Sequence, residues 1–157
     1  MTQSGCQPDS ALQARVSARS EPAARLIVID TNIVLDMFVF NDAAAAPIRQ
    51  GLQAGEIVWL ATSPMRDELA RVLAYPKIIT RLIFYRLAAD DVLASFDLHA
   101  RLVDVAFRAG LTCSDADDQK FIDLAVAHGA LLLSKDKAVI SMAKRLLAEG
   151  IRAQAAM

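Results

Sequence analysis

RLIVIDTN, residues 25–32, runs four apolar residues straight into an aspartate, a threonine and an asparagine. The run Leu26–Ile29 does not alternate with polar residues, which is the pattern of a strand buried on both faces, as strands are in a parallel sheet covered by helices. EIVWLAT (56–62) and ALLLS (130–134) read the same way, with Trp59 as strand core. Helical segments lie between them. IVLDMFVF is one, and AAAAPIRQGLQAG is a second that ends at Gly55. Ser63 followed by Pro64 reads as an N-cap with proline at the first helical position, opening PMRDELARVLAY, and that helix must stop or bend at Pro76. From Ile78 to about His99 the periodicity fits one or two further helices. SDADDQKFIDLAVAHG has an aspartate-rich start and a Gly129 stop, and KAVISMAKRLLAEG reads as one amphipathic helix closed by Gly150. LVDVAF could hold a short strand and IRAQ a final edge strand. Strands alternating with helices predict an α/β fold with a central, mainly parallel sheet flanked by helices.

The 157 residues suit one domain, read as residues 25–157 behind an arm of residues 1–24. That arm is polar and small and lacks the apolar middle of a secretory signal, so it is expected to be disordered. Although 55 % of residues are hydrophobic, no apolar stretch approaches the roughly 20 residues of a membrane helix, so no membrane partner is expected. Seventeen basic and eighteen acidic residues give a net charge of −1; bulk electrostatics favours no polyanion, and any site for one must be local. Cys6 and Cys113 are far apart and match no metal spacing, which fits a reducing cytoplasm.

In open α/β sheets, ligands bind outside the carboxyl ends of the strands. Asp30 follows LIVI directly, and Asp136 follows ALLLS after only Lys135. Either alone could simply cap the next helix or turn. On the helix opening at SDADD, Asp118 shares a face with Phe121, Ile122 and Ala125, so its carboxylate lies along the apolar stripe. Asp115 and Asp117 fit a cap and a first-turn acid. Glu68 lies likewise with Met65, Leu69 and Val72, although an ion pair with an arginine at the helix boundary would account for it equally. Asp67, with Arg71 four residues on, looks like half of a surface ion pair.

Buried carboxylates gathered together would repel and raise each other's pKa unless a cation is shared. Carboxylate oxygens without His or Cys suit a hard ion, Mg²⁺ or Mn²⁺, which also binds phosphate oxygens and activates water. His99 and His128 lie in helical stretches and are assigned no catalytic part.

Four motifs in this order resemble the PIN-domain nucleases, in the branch that includes toxins of toxin–antitoxin pairs. They are IVIDTNIVL with Asp30, ELARVLAYPKI with Glu68, DADDQKFIDLA with Asp118 and Asp115 as a helper, and LLLSKDKAV with Asp136 and Ser134. The resemblance spans about Leu26 to Arg152. Many relatives carry another aspartate two residues beyond the fourth acid, where Ala138 stands here. The resemblance implies a PIN-like three-layer fold and a metal-dependent nuclease usually acting on RNA. It also implies frequent homodimers and, in toxin members, a small antitoxin protein as partner.

On this reading Asp30, Glu68, Asp118 and Asp136 hold the Mg²⁺ or Mn²⁺, and Asn32 and Ser134 orient them, although a turn role would also explain Asn32. Lys120, Lys135 and Lys137 flank the acids and could neutralise RNA phosphates, as could Arg71, Lys77, Arg81 and Arg86; ordinary solvated cations would look the same. Two other classes remain open. One is a catalytically inactive RNA- or protein-binding module. The other is a phosphatase forming an aspartyl-phosphate on Asp30, which commonly wants a second acid soon after the nucleophile, where Thr31 and Asn32 stand.

Overall fold

The computed structural model describes residues 23–157. The arm expected over residues 1–24 lies outside the described residues, except for residues 23 and 24. Five parallel strands form one sheet in the order β3-β2-β1-β4-β5: β1 (Arg25–Ile29), β2 (Ile57–Ala61), β3 (Ala100–Leu102), β4 (Leu131–Leu133) and β5 (Ala153–Gln154). The helices are α1 (Thr31–Phe38), α2 (Ala46–Ala54), α3 (Ser63–Leu73), α4 (Pro76–Phe84), α5 (Ala89–His99), α6 (Gln119–His128), α7 (Lys137–Ile140) and α8 (Ala143–Ala148). This is the α/β fold expected, with the sheet wholly rather than mainly parallel.

The unbroken apolar runs become the central strands. Ile27, Val28, Leu132 and Leu133 are fully buried, because helices cover both sides of the sheet. With the right-handed crossovers that parallel strands follow as a rule, this strand order assigns α1–α5 to one face, as the chain steps from β1 to β2 to β3, and α6–α8 to the other after it doubles back to β4. On the first face Trp59 packs edge-on against Phe96, with ring centroids 4.9 Å apart, and Phe38 lies at 6.2 Å. Each such side chain contributes about 1.5–3 kcal/mol by leaving water. Among the described residues no helix is long and apolar enough to cross a membrane.

Some elements differ from expectation. The helix expected from Lys137 to Gly150 is two, broken at Ser141 and Met142. The Ser141 hydroxyl donates to the Ala138 carbonyl at 2.9 Å, occupying the acceptor that Met142 would use, and the Met142 N–H turns to the Val139 carbonyl at 3.0 Å. β3 begins earlier than LVDVAF and includes only its first residue. One more rung forms, from the Val103 N–H to the Ala61 carbonyl at 2.8 Å, and there β2 ends. Thr62 rather than Ser63 is the N-cap of α3, since its carbonyl accepts from Met65 and Arg66. The ion pair near this helix's start joins Arg66 to Asp97 of α5 at 2.7 Å, not Asp67 to Arg71.

Candidate metal centre

β1 and β4 are neighbours, and between them the strand order reverses, so a crevice opens at their carboxyl ends. The pairing runs one residue past the strands, with the Asp30 N–H donating to the Leu133 carbonyl at 2.9 Å. Asp30 is the N-cap of α1, but its side chain does not cap that helix. Its carboxylate instead accepts from the Ser134 hydroxyl at 2.6 Å. Ser134, fully buried, also accepts from the Asp136 N–H at 3.0 Å and so ties the two strand ends together. The capping role does hold for one oxygen of Asp136: Oδ1 accepts from the Ala138 N–H at 2.8 Å at the start of α7.

The third acid arrives from the other connection. Asp118 ends a single 3-10 turn, Ala116–Asp118, that leads into α6. Phe121, Ile122 and Ala125 on the same face are buried against the sheet, and they carry Asp118 inward with them. One oxygen each from Asp30, Asp118 and Asp136 lies within 4.8 Å of the others. That is the scale of one coordination sphere, where opposite oxygens about 2.1 Å from a hexacoordinate ion sit roughly 4.2 Å apart.

The electrostatics of this trio are unfavourable as they stand. Burial raises the Asp30 carboxyl above its ordinary pKa, with Glu68 and Asp136 adding to the rise while the Ser134 hydroxyl and the Thr31 N–H oppose it. Asp118 is pushed up to about 7 by burial and by the charges of Asp30, Asp136 and Asp115. Its Oδ2 is buried without a hydrogen-bond partner. An orphaned carboxylate oxygen beside two further acids, with only oxygen donors around it, fits a hard divalent cation.

Glu68 lines the same cleft, of about 460 Å³, together with Asp115, Asn32, Arg71 and Tyr75. It stands apart from the three-aspartate group because it has partners of its own: Lys120 Nζ at 2.7 Å and the Thr31 hydroxyl. Its partner is thus a lysine from α6, not an arginine at its own helix boundary. Asp115, exposed, uses Oδ1 to accept from the Asp117 N–H at 2.9 Å. Asn32 is exposed at the cleft wall. Ala138, at the place of the missing auxiliary acid, supplies the N–H that Asp136 accepts.

Of the three lysines expected to meet phosphates, two are engaged inside the protein. Lys120 holds Glu68 and the Asp117 carbonyl, and Lys135 pairs with the nearly buried Asp36 at 2.5 Å. Lys137 is exposed on α7. Of the second basic group, Arg71 reaches the cleft wall. His99 packs on Phe38 and meets the Ser95 carbonyl at 2.8 Å. Sequence reasoning missed Thr31, Lys120 as the partner of Glu68, and Tyr75. Nothing local signals the first two, since Thr31 and Glu68 are 37 residues apart and Lys120 and Glu68 are 52 apart.

The chain matches the PIN domain model over residues 26–138, a span that contains all four acids. No curated protein matches it. Among solved structures it is similar to a chain in the crystal structure of VapBC2 from Rickettsia felis bound to a DNA fragment from their promoter. That similarity has a TM-score of 0.56 and 15 % identity, and it covers 82 % of this chain and 98 % of that one. At such identity the likeness concerns the fold alone. The family model covers most of the chain, from the first strand to the start of the helix behind Asp136, and on that match the chain belongs to the PIN domain family.

Proposed function

We propose that the protein is a divalent-cation-dependent ribonuclease that hydrolyses RNA phosphodiesters at the acid cleft. The observation that carries this reading is the cluster of Asp30, Asp118 and Asp136, with the orphaned Asp118 Oδ2, at the strand-order switch of a PIN domain.

In this reading Asp30, Asp118 and Asp136 hold Mg²⁺ or Mn²⁺. Glu68 completes the set from the opposite wall, with Asp115 as an auxiliary acid. When bound, the cation lowers the pKa of water and offsets the charge that builds on the phosphate. The chain's own groups set the geometry. Ser134 keeps Asp30 and the Asp136 backbone at fixed separation through its two hydrogen bonds. Lys120 and the Thr31 hydroxyl orient the Glu68 carboxylate, and the Lys120 charge offsets the excess of acids. Arg71 on the cleft wall and Lys137 on α7 are the cations placed to meet substrate phosphates, and Asn32 offers an amide beside them.

We extend this reading to a toxin with a small antitoxin protein as partner, to which the fold shared with a chain of the VapBC2 structure adds support; a homodimer in the cytoplasm belongs to the same proposal and rests on the sequence motifs alone.

The test is cleavage of an unstructured RNA by the purified protein with Mg²⁺ or Mn²⁺ and with a chelator. Cleavage is expected only with the cation, and Asp30→Asn or Asp118→Asn should lower it on the order of 100-fold, the scale of removing one preorganised electrostatic group. In the same samples Mn²⁺ should raise the melting temperature of the wild type more than that of either variant, since a ligand bound to the native state alone stabilises it. Cleavage that persists in both folded variants would refute the site.

A further inference from the structure

The acid cleft adjoins a second cavity of opposite character. This one, about 560 Å³, shares Asn32, Val72 and Tyr75 with the cleft and is completed by Leu35, Pro76, Lys77 and Ile78. Its size falls in the range of small-molecule sites. We infer that it is a nucleobase seat: the base of a nucleotide adjoining the phosphate held at the acids enters this cavity and stacks on the Tyr75 ring. The inference rests on the nuclease reading and adds to it where a single-stranded substrate is gripped.

The argument begins with the ligand. A nucleotide joins an anionic phosphate to a flat apolar base, so a site that grips one needs two adjoining surfaces of unlike chemistry. Carboxylates with a cation can hold the phosphate but offer nothing to a π-face. The wall they share with the apolar cavity does, because it includes Tyr75. That side chain is 55 % exposed, while its backbone is fixed in the turn between α3 and α4. Its N–H donates to the Val72 carbonyl at 3.0 Å, and its carbonyl accepts from Ile78 and Ile79, both at 2.9 Å. A pinned backbone that presents an aromatic ring to solvent is preorganised for stacking, which holds unpaired bases in a largely sequence-tolerant way. Asn32 supplies an amide donor and acceptor at the shared wall, suited to a base edge or a ribose hydroxyl. Lys77 and Arg71 place positive charge beside the seat and the cleft, where the phosphates flanking that base would lie.

Stacking also selects for substrate form. A base inside a duplex is paired and covered on both faces, so only a nucleotide free to swing out can use the seat. The protein should therefore act on single-stranded RNA, loops or ends in preference to helices.

The experiment measures binding, by fluorescence anisotropy, of a short single-stranded RNA carrying an end label to the full-length Asp118→Asn protein, whose cleavage, slowed on the order of 100-fold, leaves the strand whole during the measurement. Tyr75→Ala, added to that protein, should weaken binding on the order of 10-fold, the scale of one base–aromatic stack, while Tyr75→Phe keeps the affinity. An abasic position walked along the RNA should reproduce the loss at one place in the strand, and should cost nothing further there in the Tyr75→Ala protein. Melting temperatures of the variants check that each is folded. If a folded Tyr75→Ala protein binds as tightly as its parent, or if its loss and the abasic loss add, the seat is overturned and the cavity is open to a peptide ligand instead. Wild-type cleavage of the same RNA with Mn²⁺ separates the two levels of the argument. Cleavage with an indifferent Tyr75 removes only the seat, whereas a wild type that neither binds nor cuts RNA removes the nuclease reading and the seat with it.

Discussion

Asp118 has a carboxyl pushed up to about 7, by burial first and then by Asp30, Asp136 and Asp115. In the unfolded chain it would titrate near its ordinary 3.8. Between those values the native state binds more protons than the unfolded state, so stability falls as pH rises through the window and the cost is fully present above about 7. Asp30 is raised as well and acts in the same direction. In a chelator, the melting temperature of the wild type is expected to fall between about pH 4 and pH 7. Asp118→Asn, which keeps the shape and removes the charge, should flatten that slope and melt higher at neutral pH. A variant that falls as steeply as the wild type would show that Asp118 is not the group responsible. At this scale much of the site was legible in the chain. A carboxylate directly after a buried strand, or on the apolar stripe of a helix, is chemically out of place and therefore visible. Lys120 shows the reverse: a lysine in a helix looks solvated until the acid it meets is known, here Glu68 at 2.7 Å.

At the scale of the elements, α6 delivers Asp118, and its far end is set by Gly129 at φ 63. A Cβ added there would meet nothing within 4 Å, so the cost of a substitution is purely one of backbone conformation. Gly129→Ala is expected to destabilise the protein by about 1–2 kcal/mol, the penalty of the left-handed region for a residue with a Cβ. Urea denaturation would detect it, and an unchanged midpoint would contradict it. Stops of this kind were plain in the sequence, as was the start at Pro64 to within one residue, because they depend on single residues with restricted or unusual backbones; Pro76, read only as the end of the preceding helix, also starts α4. The division between α7 and α8 was not plain. It follows from the Ser141 hydroxyl competing for the Ala138 carbonyl, whose side Cys113 Sγ also approaches at 3.7 Å, and apolar periodicity does not encode such a competition. β3 shifted for a similar reason: its ends are decided by the length of β2 beside it and not by its own residues.

For the molecule as a whole, the site exists because β4 lies against β1. Leu132, fully buried in β4 and paired in register with Val28, belongs to the core that holds those two strand ends together. Leu132→Ala should cost about 2–5 kcal/mol, the usual range for a buried leucine truncated in a packed interior, measured by denaturant unfolding. A loss below 1 kcal/mol, on the order of a surface change, would mean that the interior relaxes to fill the space. The amino-acid sequence by itself determined the strand and helix types, most of their ends, and the acids that fall at strand ends or on buried faces. Each of these depends on the chemistry of a few neighbouring residues and on a period of 2 or 3.6. Only the tertiary structure decided that Asp30 meets Ser134, 104 residues away, that Glu68 is held by Lys120 and Lys135 by Asp36, and that Tyr75 stands between two cavities. Those contacts depend on strand order and register, which are set by the packing of distant segments against one another and leave no local periodicity in the chain.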